Sequence, residues 1–99
     1  KIGWDITSQM GNGEMLFIEV KGRQKDATTV TVSRNEVLTG LNKPENFILA
    51  IVLVDGKSVE GPFYVQNAFT QNLDFAVTSV NYDLKHLTSR AIVAQGAQQ

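Results

Sequence analysis

Polar and apolar positions alternate from the first residues of the chain. In GWDITS, Gly3 to Ser8, Trp4 and Ile6 fall on one side and Asp5 and Thr7 on the other, the period of two that a strand imposes. QMGNGE follows as a turn, because Gly11, Asn12 and Gly13 tolerate positive φ. MLFIEVKG resumes the alternation as a second strand, so the two segments predict a hairpin. Within it Leu16, Ile18 and Val20 share the face expected to form the core, and Phe17, Glu19 and Lys21 share the opposite one. TTVTVS, Thr28 to Ser33, is dense in β-branched residues and predicts a third strand.

The period then changes. In SRNEVLTGLNKP, Ser33 and Glu36 have the spacing of a capping box, Val37, Leu38 and Leu41 fall on one helical face, and Pro44 ends the helix. NFILAIVLVDG is apolar on both faces, the pattern of a central strand covered by helices on each side, and Asp55-Gly56 turns the chain. GPFYVQN reads as a neighbouring strand and DFAVTSVNY as a further short strand or extended segment. DLKHLTSRAIVA closes with a helix capped by Asp83, and the tail QGAQQ is expected to fray. This order predicts an α/β (α+β) fold class in which a mixed central β-sheet is flanked by helices. There is no internal repeat and no low-complexity segment.

At 99 residues the chain is one domain, expected over residues 1–95 with 96–99 as frayed tail. It begins abruptly on strand-like residues, as a domain excised from a larger protein would. The absence of cysteine excludes disulfides and thiolate zinc sites, and it fits a reducing compartment, cytoplasmic or, in a eukaryote, nuclear. The longest apolar run, FILAIVLV, is far too short to span a bilayer, and no signal-peptide pattern is present, so no membrane partner is expected. A net charge of −1 provides no global electrostatic footprint for nucleic acid, although Lys21, Arg23, Lys25 and Arg34 cluster locally.

The chemistry concentrates on Asp5, Glu19 and Lys21. Strands of a hairpin lie about 5 Å apart, so Asp5 faces Glu19 if the register permits. Two carboxylates converging at a strand end, with the Val20 carbonyl as a third donor, form a hard-oxygen site suited to Mg²⁺ or Mn²⁺. A lysine beside them can hold or help deprotonate an attacking water and offset negative charge on a phosphodiester transition state. An ordinary ion pair accounts for the same spacing, because E-x-K on a strand is common by chance.

Other positions carry weaker signals. Glu36 is accounted for by the capping box, with a supporting role near the acids as the alternative. Arg34 and Asn35 open a helix, where backbone N–H groups favour phosphate, and Arg23, Gln24 and Lys25 follow the motif. These five are candidate nucleic-acid contacts, with solvated surface as the competing reading. His86, the one histidine, is expected on a helix surface, which removes histidine-based metal sites from consideration, and no nucleotide-binding glycine loop occurs. Trp4 and Phe17 belong to alternating strands and are expected in the core.

The linked pieces GWDITS, FIEVKGR, TVTVSRNEV and NFILAIVLVDG, followed by VTSVNYDLKHL, resemble the protein NO VEIN C-terminal domain family, which is assigned to the PD-(D/E)XK nuclease-like superfamily. The resemblance covers nearly the whole chain. It implies a restriction-endonuclease-like core whose N-terminal helix is missing from the chain, with Asp5 as the metal-binding aspartate and Glu19 and Lys21 as the (D/E)xK element. It also implies a metal-dependent DNA endonuclease-type domain within a helicase or a restriction-type defence protein, with DNA and the parent's other domains as partners and no small-molecule cofactor. A non-catalytic DNA-binding or protein-docking module of the same fold is the alternative.

Overall fold

A computed structural model describes the backbone of residues 2–9 and all of residues 15–91. Strands β1 (Ile2–Gln9), β2 (Met15–Gln24), β4 (Phe47–Asp55) and β5 (Ser58–Gln66) form one sheet in the order β1-β2-β4-β5. β3 (Thr29–Ser33) and β6 (Ser79–Asp83) pair antiparallel as a separate ribbon. Helix α1 (Arg34–Asn42) follows β3, a 3-10 turn at Pro44–Asn46 leads into β4, and helix α2 (Leu84–Ser89) follows β6. β2 and β4 are parallel while their outer partners are antiparallel, so the fold is α+β with a mixed sheet. A parallel pair needs a crossover connection, which β3, α1 and the 3-10 turn supply.

The core lies between the sheet and the layer formed by the ribbon and both helices. Phe47, Leu49 and Ile51 of β4 and Val65 of β5 meet Val30, Val32, Val37, Leu84 and Leu87, with Phe69 filling the space between them. Parallel register sets Phe17 against Phe47, Glu19 against Leu49 and Lys21 against Ile51. Glu19 and Lys21 therefore stand on the face that the helices cover. The expectation that Leu16, Ile18 and Val20 mark the core face is corrected: they alternate as read, but the main hydrophobic cluster forms on the other side. Phe17 is packed against that cluster as expected, its ring stacked on Phe47 at 5.8 Å.

Two further expectations change. The apolar pattern of β4 predicts helices on both faces, yet among the described residues α1 and α2 both join the cluster on one face, and Ile48, Val52 and Val54 of the other are half-buried. On α1 the buried side is Val37 and Gly40 with Leu41 half-buried, while Leu38 is 39% exposed, because the face follows the i, i+3, i+4 positions from Val37. The short strand expected in DFAVTSVNY is found as β6, preceded by a turn and paired with β3 in the separate ribbon.

Local signals hold well elsewhere. Gly56 has φ +61° in the two-residue β4–β5 turn, and Asp83 caps α2 by accepting from the Lys85 N–H at 3.2 Å. α2 ends at Ser89, earlier than the apolar pattern implies, and the tail 96–99 and the turn at Gly11 to Gly13 lie outside the described residues. No helix among the described residues is long and apolar enough to cross a membrane.

Candidate functional site

The antiparallel register of β1 and β2 places position 5 directly opposite Glu19. Residues opposed in this way share a face of the sheet, so the backbone meets the condition for Asp5 to join the site. The side chains of Asp5 and Trp4 lie outside the described residues.

Glu19 and Lys21 are 2% and 8% exposed. The Lys21 ammonium lies 3.6 Å from Glu19 Oε2 and 3.0 Å from Glu36 Oε1, and it donates to Glu36 Oε2 at 3.2 Å. Glu36 comes from α1, which the crossover lays over the β2 strand. It also completes the capping box: the Ser33 N–H donates to Glu36 Oε1 at 2.9 Å, and the Glu36 N–H donates to Ser33 Oγ at 3.2 Å. One side chain thus both caps the helix and holds Lys21. The sequence reading favoured the cap for Glu36 and kept a supporting role near the acids as the alternative; the structure gives it both.

The electrostatics follow from this packing. Burial pushes the Glu36 carboxyl up, but the Ser33 N–H, the Lys21 ammonium and a hydrogen bond with Glu19 together outweigh it and hold the group below its ordinary value. The cluster is therefore a lysine enclosed by two acids, one of them more than nine-tenths buried. Replacing Ser33 with alanine removes the acceptor for the Glu36 N–H. It should cost about 1 kcal/mol in urea unfolding, and a variant as stable as the parent would show that Glu36 caps the helix unaided.

Asn46 was not marked by the sequence reading. It is 6% exposed, and its Nδ2 donates to the Met15 carbonyl at 2.9 Å, tying the entrance of β4 to the start of β2 and so aligning the strand that carries Glu19 and Lys21.

The five candidate nucleic-acid contacts fall at two places along the chain, the end of β2 and the start of α1. Arg23 is half-buried and Gln24 exposed at the end of β2. Lys25 pairs with Glu60 at 2.6 Å, and that hydrogen bond and charge raise its pKa. Asn35 is exposed in the first turn of α1. Arg34 Nη1 donates instead to the carbonyls of Asp74, at 2.7 Å, and Val77, at 3.0 Å, so it holds a neighbouring loop. His86 is exposed, as expected.

Among the described residues no three histidine, cysteine, aspartate or glutamate side chains gather to hold a metal. The donors proposed from sequence are nevertheless of the right kind for a hard divalent cation: the Glu19 carboxylate, the carboxylate at register-opposed position 5, and the Val20 carbonyl.

A family model described as Protein NO VEIN, C-terminal, matches residues 1–65, the span from β1 through most of β5 that contains Asp5, Glu19, Lys21 and Glu36. No curated protein and no solved structure matches the chain.

Proposed function

The chain belongs to the Protein NO VEIN, C-terminal family, and from that premise we propose that it is a metal-dependent DNA endonuclease-type domain of the PD-(D/E)XK kind, working within a helicase or restriction-type defence protein in the cytoplasm or nucleus. The observation that carries this reading is the buried Glu19–Lys21–Glu36 cluster with position 5 opposite Glu19. Enclosing an ion-paired lysine and two acids is a poor way to stabilise a fold, since apolar residues of the same volume do as well or better. Such a cluster is more readily explained by chemistry.

In this reading Asp5, Glu19 and the Val20 carbonyl hold Mg²⁺ or Mn²⁺, which when bound polarises the scissile phosphate and acidifies the attacking water. Lys21 positions that water and offsets the charge growing on the phosphate. Glu36 keeps the Lys21 ammonium at the acids and off the bulk solvent.

One observation favours a second reading. The described part of the cluster is shut, with Lys21 only 8% exposed, and a closed ion pair suits a non-catalytic DNA-binding or protein-docking module of the same fold.

The test is metal-dependent nicking of plasmid and cleavage of single-stranded DNA, with Asp5→Asn and Glu19→Gln as shape-preserving variants. Mn²⁺ binding is measured alongside by calorimetry. Cleavage in Mg²⁺ or Mn²⁺ that falls a hundredfold or so in each variant, with Mn²⁺ affinity falling in parallel, is expected. A parent chain that neither binds Mn²⁺ nor cuts either substrate leaves the docking module as the function.

A further inference from the structure

The seam between β2 and α1 does not end at the acid–lysine cluster. Phe17 precedes Glu19 on the same face of β2, about 7 Å along the strand. Thr39 stands one turn beyond Glu36 on α1, about 5 Å along the helix. These two neighbours of the cluster line one cavity of about 300 Å³, which reaches on to the end of α1 and the 3-10 turn. The cavity is thus the next compartment along the two elements that hold Lys21 between Glu19 and Glu36.

Its lining divides by chemistry. Phe17 and Phe47, stacked on each other, make an apolar floor, and Met15, 51% exposed, continues it to the surface. Thr39, Asn42 and Lys43 are exposed and supply a hydroxyl, a carboxamide and an ammonium. Among the described residues no acid belongs to the lining, and Glu45, two residues from Lys43, is exposed outside it. Lys43 takes part in none of the ion pairs among the described residues. Its backbone N–H donates to the Thr39 carbonyl at 3.2 Å, so closing the helix does not require the side chain. The larger cavity beside α2, by contrast, sets Lys25 and Lys85 against Asp26 and Asp83, and Lys25 is already held by Glu60.

An apolar floor below one cation and neutral hydrogen-bonding groups suits a ligand with an apolar body and a single negative charge. One nucleotide of a strand has that composition, a sugar with largely apolar faces beside a phosphate. The step from Glu19 to Phe17 is also close to the length of one nucleotide in an extended strand. A phosphate there lies near the acids of the cluster, and a cation on its far flank offsets their repulsion.

We infer that this cavity is the subsite for the nucleotide adjoining the scissile phosphodiester, with Lys43 neutralising its phosphate and Phe17 and Met15 packing its sugar. The inference rests on the nuclease reading proposed above and deepens it. It makes Lys43 a substrate-binding residue and runs the strand along the β2–α1 seam.

The test measures binding of the 99-residue chain to a fluorescein-labelled DNA oligonucleotide, single-stranded and duplex, in EDTA and in Ca²⁺. Lys43→Gln should weaken binding about tenfold, lower the slope of log affinity against log salt by about one, and leave the thermal midpoint unchanged. Lys43→Arg, which keeps the charge, should bind like the parent. Asn42→Asp adds a carboxylate to the lining and should weaken binding at least as much as Lys43→Gln. Lys57→Gln removes the same charge from the β4–β5 turn, roughly 26 Å along β4 from Phe47. It should change affinity less than about twofold, since that distance exceeds the screening length. Equal losses in Lys43→Gln and Lys57→Gln overturn the inference. So does a parent that binds neither oligonucleotide, or a Lys43→Arg chain that binds no better than Lys43→Gln. Cleavage is scored separately in Mg²⁺, where Lys43→Gln should raise KM and leave kcat nearly unchanged. A chain that shows the Lys43 effects on binding and never cuts refutes the nuclease alone and leaves the cavity as a nucleotide site. One that binds and cuts equally well without the Lys43 charge refutes the subsite alone.

Discussion

Replacing Lys21 with methionine is expected to lower the unfolding free energy by about 3 kcal/mol at pH 7. The lysine side chain is 10% exposed and lies between a Glu19 side chain at 2% and a Glu36 side chain at 22%. Removing it leaves two acids facing each other where water reaches poorly. The low end of the range for a broken buried pair applies, because Glu36 keeps some contact with solvent. The sign of the pH dependence follows from Glu36, whose folded pKa is held low although burial opposes this. A depressed carboxyl contributes stability above its unfolded pKa and loses it as pH falls through the folded value. In Lys21→Met the ammonium's share of that depression disappears, so the gap between parent and variant should be widest at neutral pH. It should close as the pH falls through the carboxylate range and below. Urea unfolding at a series of pH values reads this directly, and a gap that stays constant with pH would mean that Lys21 contributes packing and not charge. Adding Glu19→Gln and Glu36→Gln to Lys21→Met should return most of the loss, since glutamine still serves the capping box while the uncompensated charges are gone.

The capping box, the Asp55-Gly56 turn, the Asp83 cap and the central position of β4 were all readable, because each is decided by residues within a few positions of one another. The mixed character of the sheet was readable too, from the order of the elements. What escaped depends on contacts across the chain. Alternation along β2 separates Phe17, Glu19 and Lys21 from Ile18 and Val20, but it does not say which side the helices cover. The answer lies in the register against β4, where Leu49 and Ile51 flank the two charged residues. Glu36 looked fully explained by its cap, and its hold on Lys21, fifteen residues away in sequence, exists only once the crossover folds α1 over the sheet. Arg34 read as solvated surface or a candidate phosphate contact at a helix start, and sequence gave no sign that its guanidinium bonds to the 74–77 turn forty residues on. For the candidate site, then, sequence located the strand and the backbone register for Asp5. It offered Glu36 as a supporting acid only as the alternative to its cap, and the contact with Lys21 shows that both roles hold.

That enclosure depends on how closely α1 seats against the sheet, and Gly40 sets the distance. A Cβ at position 40 would come within 2.7 Å of Phe69 Cδ2, 2.9 Å of Phe69 Cε2 and 3.2 Å of Phe47 Cδ1. Phe69 is 5% exposed and joins two aromatic contacts, with Phe47 at 5.7 Å and Tyr82 at 5.3 Å between ring centroids. Phe69→Ala is therefore expected to cost about 3–5 kcal/mol, the loss of a buried ring with incomplete collapse around it. Gly40→Ala alone should cost about 1 kcal/mol: overpacking of about 1–3 kcal/mol is set against the helix preference of alanine, worth up to about 1 kcal/mol. In the Phe69→Ala background the two closest contacts vanish, and only the tolerable approach to Phe47 remains. Gly40→Ala should then stabilise by a few tenths of a kcal/mol or more, a reversal of sign that a double-mutant cycle in urea would register as coupling of about 1–2 kcal/mol. The same destabilisation by Gly40→Ala in both backgrounds would locate its cost in the helix backbone and not at the ring. With the reversal observed, the missing Cβ at Gly40 is what lets α1 approach closely enough for Glu36, one turn earlier, to reach Lys21.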